Sequence, residues 1–145
     1  MSFGRLLGLA VLVLVVIFGL IQLVPYGRDH TNPPVIQEPA WDSAQTRALA
    51  VRACFDCHSN ETAWPWYSSV APVSWLVQRD VDEGRTHLNF SEWGSRRQHA
   101  DEAAEAVQEG FMPPWFYLPL HSNARLSSQE KAAFVQGLQA TFGGD

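Results

Sequence analysis

The sequence predicts an all-α domain preceded by a single membrane-spanning helix. Three observations carry this reading. Residues 6–24 hold no charged side chain, and Gln22 is their only clearly polar one. Downstream, apolar residues recur at helical spacing between recognisable start and stop signals. No segment alternates apolar and polar residues between turns for long enough to read as a strand.

The apolar run comes first. Its nineteen residues would reach roughly 28 Å as a helix, at about 1.5 Å each. A bilayer's hydrocarbon core is about 30 Å thick. A cleaved leader has a shorter apolar region and small residues before the cut. Here the run ends in Leu23-Val24-Pro25-Tyr26-Gly27 without such a site, which favours an uncleaved anchor. Arg5 precedes the run, and Arg28 beside Asp29 follows it. The positive-inside rule then places the N-terminus in the cytoplasm. The chain divides into an anchor over residues 1–25, a tether over 26–42 and a domain over 43–145. Pro33, Pro34 and Pro39 keep the tether extended.

Four helices are expected in the domain. Asp42 or Ser43 caps the first, which runs towards Cys54 with Leu49, Ala50 and Ala53 on one face. Pro72 opens the second, over residues 73–83, and Gly84 ends it. The third, over residues 95–109, stops at Gly110; Ala100, Ala103, Ala104 and Val107 form its small-residue stripe. Ser127 and Glu130 make a capping box for the last, where Phe134, Leu138 and Phe142 recur every fourth residue.

At 145 residues the chain has room for one small domain and one accessory segment. Charged residues make up only 17%, against about 25% in soluble proteins. Beyond the anchor, nine basic residues meet fifteen acidic ones, a formal charge of −6. Such an acidic, unpatterned surface argues against a nucleic-acid partner. It suits a partner with a basic docking patch, and equally plain solubility. A domain this small buries a small share of its surface, so a cofactor would complete its core.

The two cysteines occur together, as Cys54-Phe55-Asp56-Cys57-His58. A structural zinc site needs a second ligand pair, and none has recognisable spacing. A dithiol redox motif belongs beside a βαβ pattern, which the chain lacks. An exported disulfide clip leaves His58 and the aromatic surroundings without a purpose. Covalent attachment of one haem c fits all five residues. Both thiols add to the vinyl groups on one porphyrin edge, and His58 falls beneath the iron.

A second axial ligand is then needed. The candidates are Met112, His30, His87, His99 and His121. Met112 is the only methionine besides the initiator. Pro113 and Pro114 follow it and favour a stiff loop between helices. Thioether ligation is an established haem option, so Met112 leads. His87 and His121, both in loops, are its competitors. Between Trp64 and Tyr117 lie ten aromatic residues, a density suited to lining a wide apolar pocket and also to ordinary core packing.

The stretch from Cys54 through His58-Ser59-Asn60 to Trp64-Pro65-Trp66-Tyr67 resembles the bacterial haem-binding domain family. So do Ala71-Pro72-Val73-Ser74-Trp75, Leu88-Asn89-Phe90-Ser91-Glu92-Trp93, Met112-Pro113, Tyr117, His121 and Leu126-Ser127. The resemblance covers roughly residues 45–141. It implies a small cytochrome c-like helical domain around one covalent haem, with Cys54 and Cys57 attached and His58 proximal. It also implies export to the periplasmic side of the bacterial inner membrane. One departure is Ser122, where the family pattern leads us to expect proline after the histidine. Two functions follow. With His58 and Met112 saturating the iron, the chain is an electron carrier for membrane-associated redox proteins. With an open or displaceable sixth position, it is a haem sensor or peroxidase-like enzyme.

Overall fold

The structure, a computed structural model, describes residues 2–95 and 98–143. Its described residues form six α-helices and two 3-10 turns, with no strand. The expected all-α class is what is found. The chain builds two compact units. One holds the first helix through Thr31 together with Trp64–Asp80; the other holds Asn32–Ala63 and the chain from Val81 onward.

The first helix, α1 (Phe3–Ile21), is apolar on every face and none of its residues is buried by protein. A helix greasy all round belongs in a core or a membrane. It is the one helix among the described residues long and apolar enough to cross a bilayer, a property that signal sequences share. It begins and ends three residues earlier than the apolar run. Pro25 disfavours helical backbone at Val24. The N–H groups of Leu23 and Val24 reach back only to Leu20 and Ile21, tightening the end of the helix.

Beyond α1, the first unit is held by short-range polar contacts. The Gln22 amide donates to the Ala71 carbonyl (2.9 Å) and accepts from the Ala71 N–H (3.0 Å). Gly27, at φ 79°, comes so close to Ser74 that an added Cβ would meet its carbonyl oxygen at 2.4 Å. His30 has φ 47°, a conformation unusual for a non-glycine residue. Its ring stacks on Trp64 at 4.7 Å, and its Nε2 lies 3.0 Å from both oxygens of Ser68. Trp66–Ser69 forms a 3-10 turn within this unit.

The second unit carries the hydrophobic core. Helix α2 (Ala44–Ala53) starts at Ser43, whose hydroxyl accepts from the Thr46 N–H at 3.1 Å. Leu49, Ala50 and Ala53 face inward, as expected. A one-turn helix, α3 (Phe55–His58), follows at once. Helix α6 (Ser128–Phe142) has the reciprocal Ser127–Glu130 capping box and buries Phe134, Leu138 and Phe142. An aromatic cluster forms the centre: Phe90 stacks on Phe55 at 5.6 Å and on Phe142 at 6.2 Å, and Trp41 leans on all three.

Two helices differ from expectation. Helix α4 (Val73–His87) runs through Gly84 instead of ending there. The glycine serves as a point of close approach, described below. Helix α5 (Ala103–Glu109) is shorter than the expected 95–109. Of the difference, residues 96–97 lie outside the described residues. Gln98 and His99 spend their hydrogen bonds elsewhere: the Gln98 amide accepts from Asn89 N–H, and His99 N–H donates to His87 carbonyl. The Gln98 bond is made by its side chain, whereas the His99 N–H, committed to a neighbouring segment, is not available for a helix.

Residues 29–42 form no helix, and much of their length is bonded. Ile36 N–H donates to Ser91 at 2.8 Å, and Gln37 and Glu92 form an isolated bridge. Asn60 donates to the Pro34 carbonyl at 3.0 Å. Glu38 takes both the guanidinium of Arg47 (2.6 and 2.7 Å) and the indole N–H of Trp41 (2.8 Å).

Two outcomes follow from this packing. A Cβ at Gly137 would sit 2.0 Å from the Thr46 hydroxyl, itself buried and bonded to Ser43. Gly137→Ala gains about 1 kcal/mol of helix propensity but overpacks at a cost of about 1–3 kcal/mol, so a urea titration should show net destabilisation. The Arg47 hydrogen bonds hold the Glu38 carboxyl below its ordinary value of 4.5. Stability from the pair is present above that value and is lost as pH falls through the lower folded one. A double-mutant cycle of Glu38→Gln and Arg47→Gln should give about 0.2–1 kcal/mol of coupling at neutral pH, fading on acidification.

Candidate functional site

Cys54, Cys57 and His58 occupy one turn at the junction of α2 and α3. The N–H groups of Cys57 and His58 both donate to the Cys54 carbonyl, at 3.1 and 2.8 Å. Phe55, between them, is driven into the core against Phe90. That burial fixes the turn and leaves the other three residues half-buried at the surface.

Both thiols are free. Burial of its sulfur, with a smaller repulsion from Cys57, pushes the Cys54 thiol up to about 12. Zinc binding and thiol–disulfide exchange both need a thiolate, which this setting disfavours. His58 Nδ1 lies 3.0 Å from the Leu88 carbonyl. A carbonyl only accepts, so Nδ1 carries the proton and Nε2 keeps its lone pair. Burial lowers the imidazole's affinity for a second proton, against smaller opposing effects of the Leu88 and Gly84 backbone. Neutral imidazole with a bare Nε2 is the form that binds a metal.

Helix α4 comes close to this turn at Gly84. A Cβ there would lie 2.4 Å from the Cys57 carbonyl oxygen and 3.0 Å from Cys57 Cβ. The segment after α4 then brackets His58, because Phe90 N–H donates to the His58 carbonyl at 2.8 Å. A buried polar web continues from there. Asn60 takes its N–H to Ser91 Oγ, and Asn89 donates to Asn60 Oδ1 and receives the Ser91 N–H. Arg85 closes the other side, donating to the Ser59 carbonyl, Asn32 and Thr62.

Met112 lies in the loop after α5. Gly110, at φ 83°, ends that helix, and Met112 N–H donates to the Ala106 carbonyl at 3.0 Å. Five residues on, the Tyr117 hydroxyl donates to Asp56, which sits between the two cysteines. The other Asp56 oxygen accepts from Ala63 N–H at 3.0 Å. The loop bearing Met112 is thereby tied to the cysteine turn at one point and to α5 at another. His121 stacks on Tyr117 at 3.7 Å, its Nδ1 3.0 Å from the Tyr117 carbonyl. Met112 itself is 38% exposed.

The other histidines are placed differently. His30 belongs to the first unit and is bonded to Ser68. His87 is exposed against His99, which pairs with Glu102 at 3.8 Å. The sequence reading gave no role at this site to Asp56, to the Leu88 carbonyl or to Gly84, which it took for a helix stop. Asp56 carried a visible signal, as the polar residue inside the cysteine spacing. Gly84 carried an ambiguous one, since a glycine in a helical pattern reads first as a stop.

These residues suit a porphyrin iron. A neutral histidine is aimed by a backbone carbonyl, two free thiols precede it in one turn, and the close approach at Gly84 leaves no room there for a side chain. The sequence profile of the haem-binding domain family matches residues 16–140. The chain belongs to that family. Neither the curated proteins nor the solved structures compared with the haem-binding domain gave a match. The match begins inside α1 and ends inside α6, and it makes the chain a haem-binding protein.

Glycine to alanine in a helix normally gains about 1 kcal/mol. At Gly84 the sign should reverse, because backbone and not a movable side-chain tip would be struck. Gly84→Ala should lower stability by about 1–3 kcal/mol in thermal unfolding of the haem-binding domain followed by circular dichroism.

Proposed function

We propose that this chain is a membrane-anchored, monohaem c-type cytochrome that carries electrons. Cys54 and Cys57 hold haem c through thioether bonds, His58 is the proximal ligand and Met112 the distal one. The observation that carries the reading is the Leu88–His58 hydrogen bond, which fixes the ring and its tautomer one residue after the second thiol. A bond of this kind orients a metal-binding histidine and raises its basicity.

Bound haem supplies a one-electron iron couple. The chain supplies the rest. Phe55 locks the cysteine turn into the core, and Gly84 lets α4 come up against it. With His58 and Met112 both as ligands, bound iron would have no position left for a substrate. Residues 6–24 hold the domain on the periplasmic side of the bacterial inner membrane, where membrane redox proteins meet it at raised local concentration.

A second reading, a haem sensor or peroxidase-like enzyme, draws on the exposure of Met112, which suits a displaceable ligand. His121 and Tyr117 on the same loop would then face the reactive side.

The test is the full chain made with export and haem-ligation machinery. Denaturing electrophoresis should retain the haem stain, and the oxidised spectrum should show a thioether charge-transfer band that Met112→Ala abolishes. Rapid, tight carbon monoxide binding by the reduced wild type would favour the second reading. A colourless product of unmodified mass would overturn both.

A further inference from the structure

The first unit holds an uncharged stretch that the haem site does not use. Residues 64–78 carry no acidic or basic side chain and include Trp64, Trp66, Tyr67 and Trp75. Several of its apolar groups face outward. Trp66 is 82% exposed, Leu76 60% and Val73 40%. Exposure of a large aromatic is costly in water, and clustering marks such groups as a contact surface.

The position of this stretch is fixed by Gln22. That residue follows directly on α1, and its amide holds both the N–H and the carbonyl of Ala71. Gly27 packs against Ser74, and His30 against Trp64 and Ser68, so the chain leaving α1 folds straight onto the same stretch. If α1 spans a bilayer, Ala71 lies at the level where the hydrocarbon ends. Trp66 sits five residues before it and Leu76 five after, on backbone compacted by a 3-10 turn and by α4. Tryptophan and tyrosine prefer that headgroup zone, where an apolar ring and a polar N–H or O–H are both satisfied.

We infer that residues 64–78 dock into the headgroup zone of the bilayer that α1 spans, with Trp66, Val73 and Leu76 inserted. The occupant is the lipid surface. The first unit is then seated on the bilayer beside the helix that enters it. This inference rests on the proposed membrane anchor, and its test separates the two.

The photocrosslinker p-benzoylphenylalanine is placed in turn at Leu12, Trp66 and Leu76, all exposed positions. The full haem-loaded chain is reconstituted in nanodiscs of phosphatidylethanolamine and phosphatidylglycerol, irradiated and weighed by mass spectrometry. Phospholipid adducts are expected at all three sites. An adduct at position 12 with none at 66 or 76 overturns the docking surface and leaves the anchor standing. Absence at position 12 overturns both. Adducts at 66 or 76 to a second copy of the chain, in place of lipid, also overturn the inference.

Discussion

His58 is held by main chain on two sides. Its ring N–H meets the Leu88 carbonyl, and its own carbonyl meets the Phe90 N–H. Between those two bonds, Asn89 reaches back to Asn60 and the Phe90 ring stacks on Phe55. Three residues after α4 therefore grip the turn from its polar and apolar sides at once. Backbone partners cannot rotate away as side chains can, so ring orientation is set by the fold itself. The aromatic core, the polar web and the approach of α4 at Gly84 all serve to keep residues 88–90 where they are.

The same arrangement explains why this short chain can commit buried polar groups. Asn60, Asn89 and Ser91 are almost fully buried, and each finds a partner. A buried amide left unsatisfied would cost about 1–3 kcal/mol. Paired as they are, these groups specify one register between the turn and the segment that grips it. Hydrophobic contacts alone would tolerate slippage.

Much of this was legible before the fold was known. Helix caps at Ser43 and Ser127, the stop at Gly110 and the inward faces of α2 and α6 follow local rules, and local rules survive folding. The cysteine–histidine turn was legible because its five residues are contiguous. What sequence could not supply was non-local. Gly84 looks like a terminator until Cys57 is seen beside it. Gln98 and His99 look helical until their bonds to Asn89 and His87 appear. Residues 26–42 read as a spacer because prolines break periodicity, yet the backbone of Pro34, Ile36 and Gln37 is bonded to Asn60 and Ser91, and the Glu38 side chain to Arg47. The residues Asn89 and Ser91 carried the family resemblance with no visible reason; the reason is the web around His58.

The Asp56–Tyr117 bond has a bearing on the cysteine spacing itself. Asp56 faces Tyr117 only because it stands at one angular position on a single helical turn. One residue inserted between the cysteines would rotate whatever follows by about 100°. Placed before Asp56 it would swing both the carboxylate and the second thiol off their marks; placed after it, the second thiol alone. Register in this four-residue helix is thus read twice, once by the sulfurs and once by a phenol from a distant loop, and a lengthened variant would have to satisfy both readers together.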